Sequence, residues 1–361
     1  MNIAILGRGD YSLVNRRVDS LRYKGHRVFF ISLQKHTKEH DDNLYIKPMA
    51  KGLVGYLFAI PKVVWLLKAL SYKAVDFHGA SSYALFSLFL RRKFIISIYG
   101  PDVYDHALRN RLIKKMINFT LKRAHTLSCS TKSVFEYLKP FKGLQNCKYA
   151  VVPYGINPIV DYDERRRSFR EKLCIGSETR VYFHCRRFMQ FWRVDVIAQA
   201  FSELKEKDVR MLFLFPETTS REKLLLDKVK MELDELGLMD KVIFIDGLGY
   251  DEYLSAQCAS DVFISVGEND LLANSVLEGC LCRNVMILNR QDSYVDAFPS
   301  DNIVWIEKGL ENKENIVKAM LEVLVSDSKK EDMIQANASY IKEHYLEAIC
   351  TDKLITEYDN L

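Results

Sequence analysis

Short runs of consecutive apolar residues alternate with amphipathic stretches along most of this chain. Residues 2–6 (NIAIL) and 27–32 (RVFFIS) have strand length, and between them residues 12–25 carry helical spacing closed by Gly25. Apolar strands that alternate with helices belong to a parallel sheet covered on both faces. The alternation continues with strands predicted at 75–78, 94–99, 126–130 and 149–153, and helices at 82–90 and 111–123. The polar stretch 157–172 interrupts it and reads as a linker. A second series follows, with strands at 180–184, 210–215, 242–245, 261–266 and 285–288. Helices at 194–206, 221–236, 251–259 and 275–282 separate these strands, and 340–358 reads as a closing amphipathic helix. The expectation is an α/β chain with two doubly wound sheets, whose ligands bind beyond the carboxyl ends of the strands.

Residues 53–70 (LVGYLFAIPKVVWLLKAL) stand apart. Pro61, Lys62 and Lys68 break the run, so no membrane-crossing helix of about 18 uncharged residues is expected. Two readings stay open. The segment packs as a buried helix on the sheet, or it lies in a membrane interface with Tyr56, Phe58 and Trp65 among the lipids.

Composition refines the picture. A chain of 361 residues with 48% hydrophobic and 27% charged content is globular and long enough for two domains. Its net charge of +5 hides an asymmetry: residues 1–150 hold 26 Lys and Arg against 9 Asp and Glu, and the rest hold 26 against 38. A basic first half calls for an anionic partner, such as an anionic membrane surface or a phosphorylated lipid. Nucleic acid is not expected, because no RNA- or DNA-reading motif is present. Eight irregularly spaced cysteines, with no secretory signal before them, are expected to be reduced cytosolic thiols.

The most informative stretch is Asp270-Leu-Leu-Ala-Asn-Ser-Val-Leu-Glu278, which follows the apolar run Asp261-Val-Phe-Ile-Ser-Val. A strand, a short loop and a helix start aim backbone N–H groups and two carboxylates into one crevice. A nucleotide sugar needs that combination, with donors for the diphosphate and carboxylates for hydroxyls. Ser275-Val-Leu-Glu278 also satisfies a helix capping box, and both readings stand on this segment alone. Gly7-Arg-Gly9 lacks the third glycine of a dinucleotide fingerprint. Cys280-Leu-Cys282 has no second pair at zinc spacing, and Asp161-Tyr-Asp163 lies in the predicted linker beside four arginines; neither is expected to hold a metal.

Six landmarks in order give a resemblance. They are Ile98-Tyr-Gly-Pro-Asp102, Val152-Pro-Tyr-Gly-Ile-Asn157, Phe183-His-Cys-Arg-Arg187 with its following helix, Val242-Ile-Phe-Ile-Asp-Gly247, Asp270 with Glu278, and Glu343-His-Tyr-Leu-Glu-Ala-Ile. Together they resemble the retaining, nucleotide-sugar-dependent glycosyltransferases of family 4, which have the GT-B fold.

The resemblance implies two Rossmann-like domains facing each other across a cleft. Residues 1–165 would bind the acceptor, with helix 345–361 packing back on them, and 170–344 would bind the donor. It assigns Arg187 and Arg193 to the leaving diphosphate, Asp270 to the donor sugar and Glu278 to the ribose. Gly247, Leu248 and Gly249 would pass the nucleobase, and Leu271, Leu272, Ala273, Asn274 and Ser275 would meet the donor at the helix start. Gly9, Asp10, Tyr99 and Asp102 would form the acceptor side.

The activity so implied is metal-independent transfer of a hexose-type sugar to a lipid-linked or polysaccharide hydroxyl, in cell-envelope glycan synthesis. No cofactor is expected beyond the nucleotide-sugar substrate. The expected place is the cytoplasm, at the inner face of the plasma membrane. Departures accompany the match: Trp192 stands at the family's lysine position, Asp270 where Glu is usual, Tyr99 where His is common, and Phe215-Pro-Glu replaces a glycine pair. A non-catalytic nucleotide-sugar-binding partner and a GT-B epimerase are the rival readings.

Overall fold

The computed structural model describes residues 1–100, 102–103, 111–215, 219–268, 270–325 and 327–361. The chain divides into two compact units, Met1–Gly155 with Tyr345–Leu361, and Ile156–His344.

The first unit holds strands β1 (Asn2–Leu6), β2 (Arg27–Ser32), β3 (Asn43–Tyr45), β4 (Ala74–His78), β5 (Ile95–Ser97), β6 (Thr126–Cys129) and β7 (Lys148–Val151). They form one sheet in the order β3-β2-β1-β4-β5-β6-β7, and every pairing is parallel. The order reverses between β1 and β4, which places a crevice beyond their carboxyl ends. The core shows why these residues make these strands. Ile3, Ile5, Val28, Phe30 and Ile95 are fully buried, and Val14, Val18, Leu354 and Tyr358 cover them from two helices.

The second unit repeats the plan with β8 (Arg180–His184), β9 (Val209–Phe215), β10 (Val242–Asp246), β11 (Val262–Ser265), β12 (Val285–Asn289) and β13 (Val304–Ile306). Their order is β10-β9-β8-β11-β12-β13, again all parallel, with the reversal between β8 and β11. Phe201, Phe213, Val229, Ile264, Ile287 and Met320 fill its core.

Several elements differ from the sequence pattern. Residues 82–90 form a 3-10 helix, Tyr83–Phe89, in place of the α-helix that their apolar spacing predicts. The polar stretch read as a linker is helical over Tyr162–Lys172 and belongs to the second unit. Its arginines are the reason. Arg170 donates to the carbonyls of Ala259 and Thr179, and Arg166 pairs with Asp261 at 2.7 Å. These charges serve as structural clamps instead of a solvated face. The closing helix is broken at Tyr345 and Leu346 into Asp327–His344 and Glu347–Asp359. The Phe215-Pro-Glu departure lies largely outside the described residues, since 216–218 are not among them.

Residues Gly52–Ala69 form a helix that packs only one stripe, Ala59, Val63 and Leu67, against the unit. Tyr56 stacks on Phe86 and meets Tyr83 edge-on. The other stripe exposes Val54, Leu57, Phe58 and Trp65, the last at 64%. The reading of this segment as a buried core helix is therefore half right: the spacing of four residues buries one face and leaves an apolar face outside.

Gly155 closes the first unit. It sits at φ +76°, and a Cβ there would lie 2.6 Å from the Glu347 Cα. Arg16 donates to the Gly155 carbonyl at 2.8 Å and to Glu347 Oε2 at 3.1 Å. A side chain must push the returning helix away, so Gly155→Ala should destabilise the first unit by about 1–3 kcal/mol, measured as a lower urea midpoint.

Candidate functional site

The carboxyl ends of β8 and β11 carry the densest chemistry of the second unit. The chain leaves β8 through Cys185, Arg186 and Arg187, and leaves β11 through Gly267 and Glu268 to reach Asp270. That second loop is pinned from the end of β12. The Gly267 carbonyl accepts N–H bonds from Asn289 and Gln291 at 2.9 and 2.7 Å, and the Asp270 carbonyl accepts the Ser293 hydroxyl at 2.6 Å.

Adjacent arginines part company here. Arg187 is half-exposed and forks onto Glu222, with Nε to Oε1 at 2.5 Å and Nη2 to Oε2 at 3.1 Å. Glu222 is in the first turn of the Ser220–Glu235 helix and also accepts the Thr219 N–H and hydroxyl, both at 2.7 Å. The Arg187 hydrogen bond is the chief cause that holds the Glu222 carboxyl down at about 2, against a burial that works to raise it. Arg186 turns inward. It donates to Asp270 Oδ2 at 2.6 Å, and its guanidinium lies 4.9 Å from the Trp192 ring centre. Tyr294 donates to the same Asp270 oxygen at 2.5 Å. Burial raises the Asp270 carboxyl above its ordinary value, and Arg186 and Tyr294 pull the other way.

Sequence reasoning missed Arg186 as a site residue. Its signal was Trp192: an aromatic ring at the family's lysine position gives an inward guanidinium a face to lie on. Trp192 packs against the core of the unit and over Gly267, where any side chain would collide with it. Arg193 caps the following helix in the left-handed region, φ 55°, and pairs with Glu268 at 3.1 Å.

Glu278 is buried in the Asn274–Leu281 helix, and its two oxygens accept the phenols of Tyr250 at 2.8 Å and Tyr253 at 3.0 Å. Tyr250 follows Gly247, Leu248 and Gly249, the turn after β10. A Cβ on either glycine of that turn meets nothing within 4 Å, so a flat ring has room to approach the backbone. Leu271 and Leu272 lead to Ala273, the N-cap, and Asn274 and Ser275 open the helix with no acidic residue in its first turn. The positive end of the helix dipole is thus uncompensated by its own side chains.

In the first unit, the ends of β1, β4 and β5 surround a cavity of about 320 Å³ lined by Arg8, Tyr11, Ser82, Tyr99 and Asp102 among others. Gly9 is buried, donates its N–H to Ser32 at 2.8 Å, and has no room for a Cβ beside the Gln34 carbonyl. Asp10 is exposed and forks with Arg8. Asp102 accepts the N–H groups of Ala80 at 2.6 Å and Tyr99 at 3.1 Å, and burial pushes its carboxyl up to about 6. Tyr99 turns its hydroxyl to His78 Nδ1 at 2.7 Å. An imidazole thus lies beside position 99, carried by the neighbouring strand β4, which the sequence pattern marked only as a strand end.

Comparisons with known proteins agree with the two-sheet fold. Residues 2–131 match the model of the "Glycosyl transferase 4-like" family. No curated protein matches the chain in sequence. Among solved structures, Anabaena HepE in complex with UDP and glucose is similar over 100% of both chains, at 12% identity and a TM-score of 0.81. A glycosyltransferase from Rickettsia africae is similar at 17% identity over 99% of this chain and 98% of that one, with a TM-score of 0.79. Sucrose-phosphate synthase from Thermosynechococcus elongatus reaches 0.78 at 14% identity, covering 100% and 98%. The chain has the GT-B glycosyltransferase fold.

The Glu222 carboxyl sits below its ordinary 4.5 when folded, so its contribution is complete above pH 4.5 and is lost as the pH falls toward 2. Glu222→Gln should flatten that part of the acid-unfolding curve relative to the unmodified chain, followed by circular dichroism.

Proposed function

We propose that this chain is a glycosyltransferase that takes a sugar from a nucleotide-diphosphate donor held by the second unit. The observation that carries the reading is the rim of β8, β10 and β11. There an acid-free helix start at Asn274, an open glycine turn at Gly247–Gly249, the carboxylate of Glu278 and the half-exposed Arg187 all follow the carboxyl ends of strands of one parallel sheet. Cleaving a sugar–diphosphate bond leaves charge on the β-phosphate, and guanidinium and helix amides stabilise it without a metal. Arg187 and Arg193 would take the diphosphate, Glu278 the ribose and Asp270 the donor sugar. The UDP and glucose bound by Anabaena HepE support this donor class.

The acceptor is a hydroxyl on a lipid-linked or polysaccharide glycan, received by the cavity beside Gly9, Asp10, Tyr99 and Asp102, and transfer retains the anomeric configuration. The enzyme works in the cytoplasm against the inner face of the plasma membrane. Supporting this are the exposed stripe Val54, Leu57, Phe58 and Trp65, flanked by Lys51, Lys62 and Lys68, and the exposed Leu112 and Phe119 on the basic helix Arg111–Leu121. An apolar stripe edged by lysines suits an anionic bilayer surface. Among the described residues, no helix is long and apolar enough to cross a membrane.

A second reading has its own observation. The Glu278 oxygens are occupied by two tyrosines, and Arg187 is neutralised by Glu222. A non-catalytic partner of a transferase would tolerate both. Calorimetry with nucleoside diphosphates separates the two, because absence of binding favours the partner.

Two outcomes test the main reading. In a panel of UDP-, GDP- and ADP-sugars, one donor should release its nucleoside diphosphate, and Arg187→Ala should slow that release by about 10²-fold; release undiminished by the substitution removes Arg187 from the phosphate. The chain should sediment with vesicles containing phosphatidylglycerol but not with pure phosphatidylcholine, and less so at high salt. Phe58→Glu with Trp65→Glu should abolish sedimentation without changing nucleotide binding.

A further inference from the structure

Arg187 is turned toward one side of its strand end. With Gln190, Thr219, Arg221, Glu222 and Lys228 it lines a cavity of about 640 Å³ within the second unit. The residues assigned to the donor, Gly247–Gly249, Asp270–Ser275 and Glu278, are not among the described residues of that lining. Sheet order explains the separation. The helix Ser220–Glu235 follows β9 and the helix Asn274–Leu281 follows β11, and these strands flank β8 on opposite sides. The fork to Glu222 therefore holds the guanidinium on the β9 side of the loop, while the acid-free helix start lies on the β11 side.

The group that holds it cannot swing away. Glu222 is buried, and its Oε2 accepts both the N–H and the hydroxyl of Thr219 at 2.7 Å as part of the helix capping box. Its two oxygens are thereby fixed in the position that grips Nε and Nη2 of Arg187. Glu268, the partner of Arg193, has no comparable anchor; half of its side chain is in water, where a carboxylate competes weakly. The Arg187 end of its own pair is also half in water, so a phosphate has access to the guanidinium. Glu222 is not stranded when Arg187 leaves. It keeps the two Thr219 donors in the first turn of a helix, where the dipole favours an anion. Arg221 and Lys228 in the same cavity wall keep the local potential positive.

We infer that Glu222 sets the affinity for the donor by competing with its diphosphate for Arg187. This rests on the reading of the second unit as the donor site. Binding is then an exchange of anions at one guanidinium: the Glu222 carboxylate gives up Nε and Nη2, and a phosphate oxygen takes them. Glu222 acts on the donor only through Arg187 and touches no part of it. The measured affinity is the intrinsic affinity reduced by the fraction of chains in which Arg187 is released. A paired Arg187 is on this account a property of a working donor site, and gives no support to a non-catalytic role.

Calorimetry on the full chain with UDP, GDP and ADP reads the exchange. For whichever nucleoside diphosphate binds, Glu222→Gln should lower the dissociation constant by about tenfold. The gain should vanish when Arg187→Ala is added, because no guanidinium is left to release. Glutamine at this position still accepts the Thr219 N–H and keeps the helix cap, and circular dichroism at neutral pH controls the fold. A fall in affinity would make Glu222 a support for Arg187 and overturns the competition, as does an unchanged affinity. Equal tightening with and without Arg187 marks a general charge effect and overturns it too. Each of those results leaves the donor reading standing, since a nucleoside diphosphate still binds. If none of the three binds the parent chain or Glu222→Gln, the donor reading falls and this inference with it.

Discussion

A single carboxylate without access to water organises the first unit. Asp76 sits in the middle strand of a seven-stranded sheet, where an unpaired charge is very costly. Its neighbours come from every part of the unit: Ser97 from the adjacent strand, Tyr358 from the last helix, and His78 from the strand itself. Arg17 backs Ser97 from the first helix, bonds the carbonyls of Val152 and Pro153, and lies 4.1 Å from the Tyr154 ring centre. Two of these elements, β4 through His78 and the first helix through Val14, also border the cavity. The stability problem posed by one buried anion and the geometry of the strand ends thus have a common solution.

The second unit meets its charges differently. Its potential ligand contacts are already engaged: Arg186 with Asp270, Arg187 with Glu222 and Arg193 with Glu268 as ion pairs, and Glu278 hydrogen-bonded by two phenols. Burial divides these pairs into two kinds. The Arg186–Asp270 pair is nearly solvent-free and acts as a fixed strut, because separating buried partners leaves each one stranded. The Arg187 guanidinium is half in water but Glu222 is buried, so a phosphate that draws Arg187 away leaves that carboxylate to the Thr219 N–H and hydroxyl alone. An anionic ligand arriving at this rim competes with side-chain carboxylates instead of filling an empty positive pocket.

Much of this was legible in the sequence. Consecutive apolar residues mark buried parallel strands directly, so β1, β2, β8, β9 and β12 stand out from their composition alone. β3 and β13 are three residues each and carry no such signal. The arginines of Tyr162–Lys172 looked like a solvated linker, because a guanidinium that caps carbonyls of a neighbouring helix is indistinguishable in sequence from one in water. The same ambiguity set Arg186 beside Arg187, since only tertiary packing decides which of two adjacent loop residues turns inward. His78 was hidden for a related reason. Its partner Tyr99 is 21 residues away, and register between strands is not written in either one.

The closing helix has a consequence for how the protein is made. Tyr358 reaches Asp76 across 282 residues of chain. A ribosome must therefore finish the entire second unit, Ile156–His344, before the first can satisfy its central charge. The half that emerges first is the half completed last, and until the closing helix is made it waits with an incomplete interior, the interval in which a nascent chain most depends on chaperones.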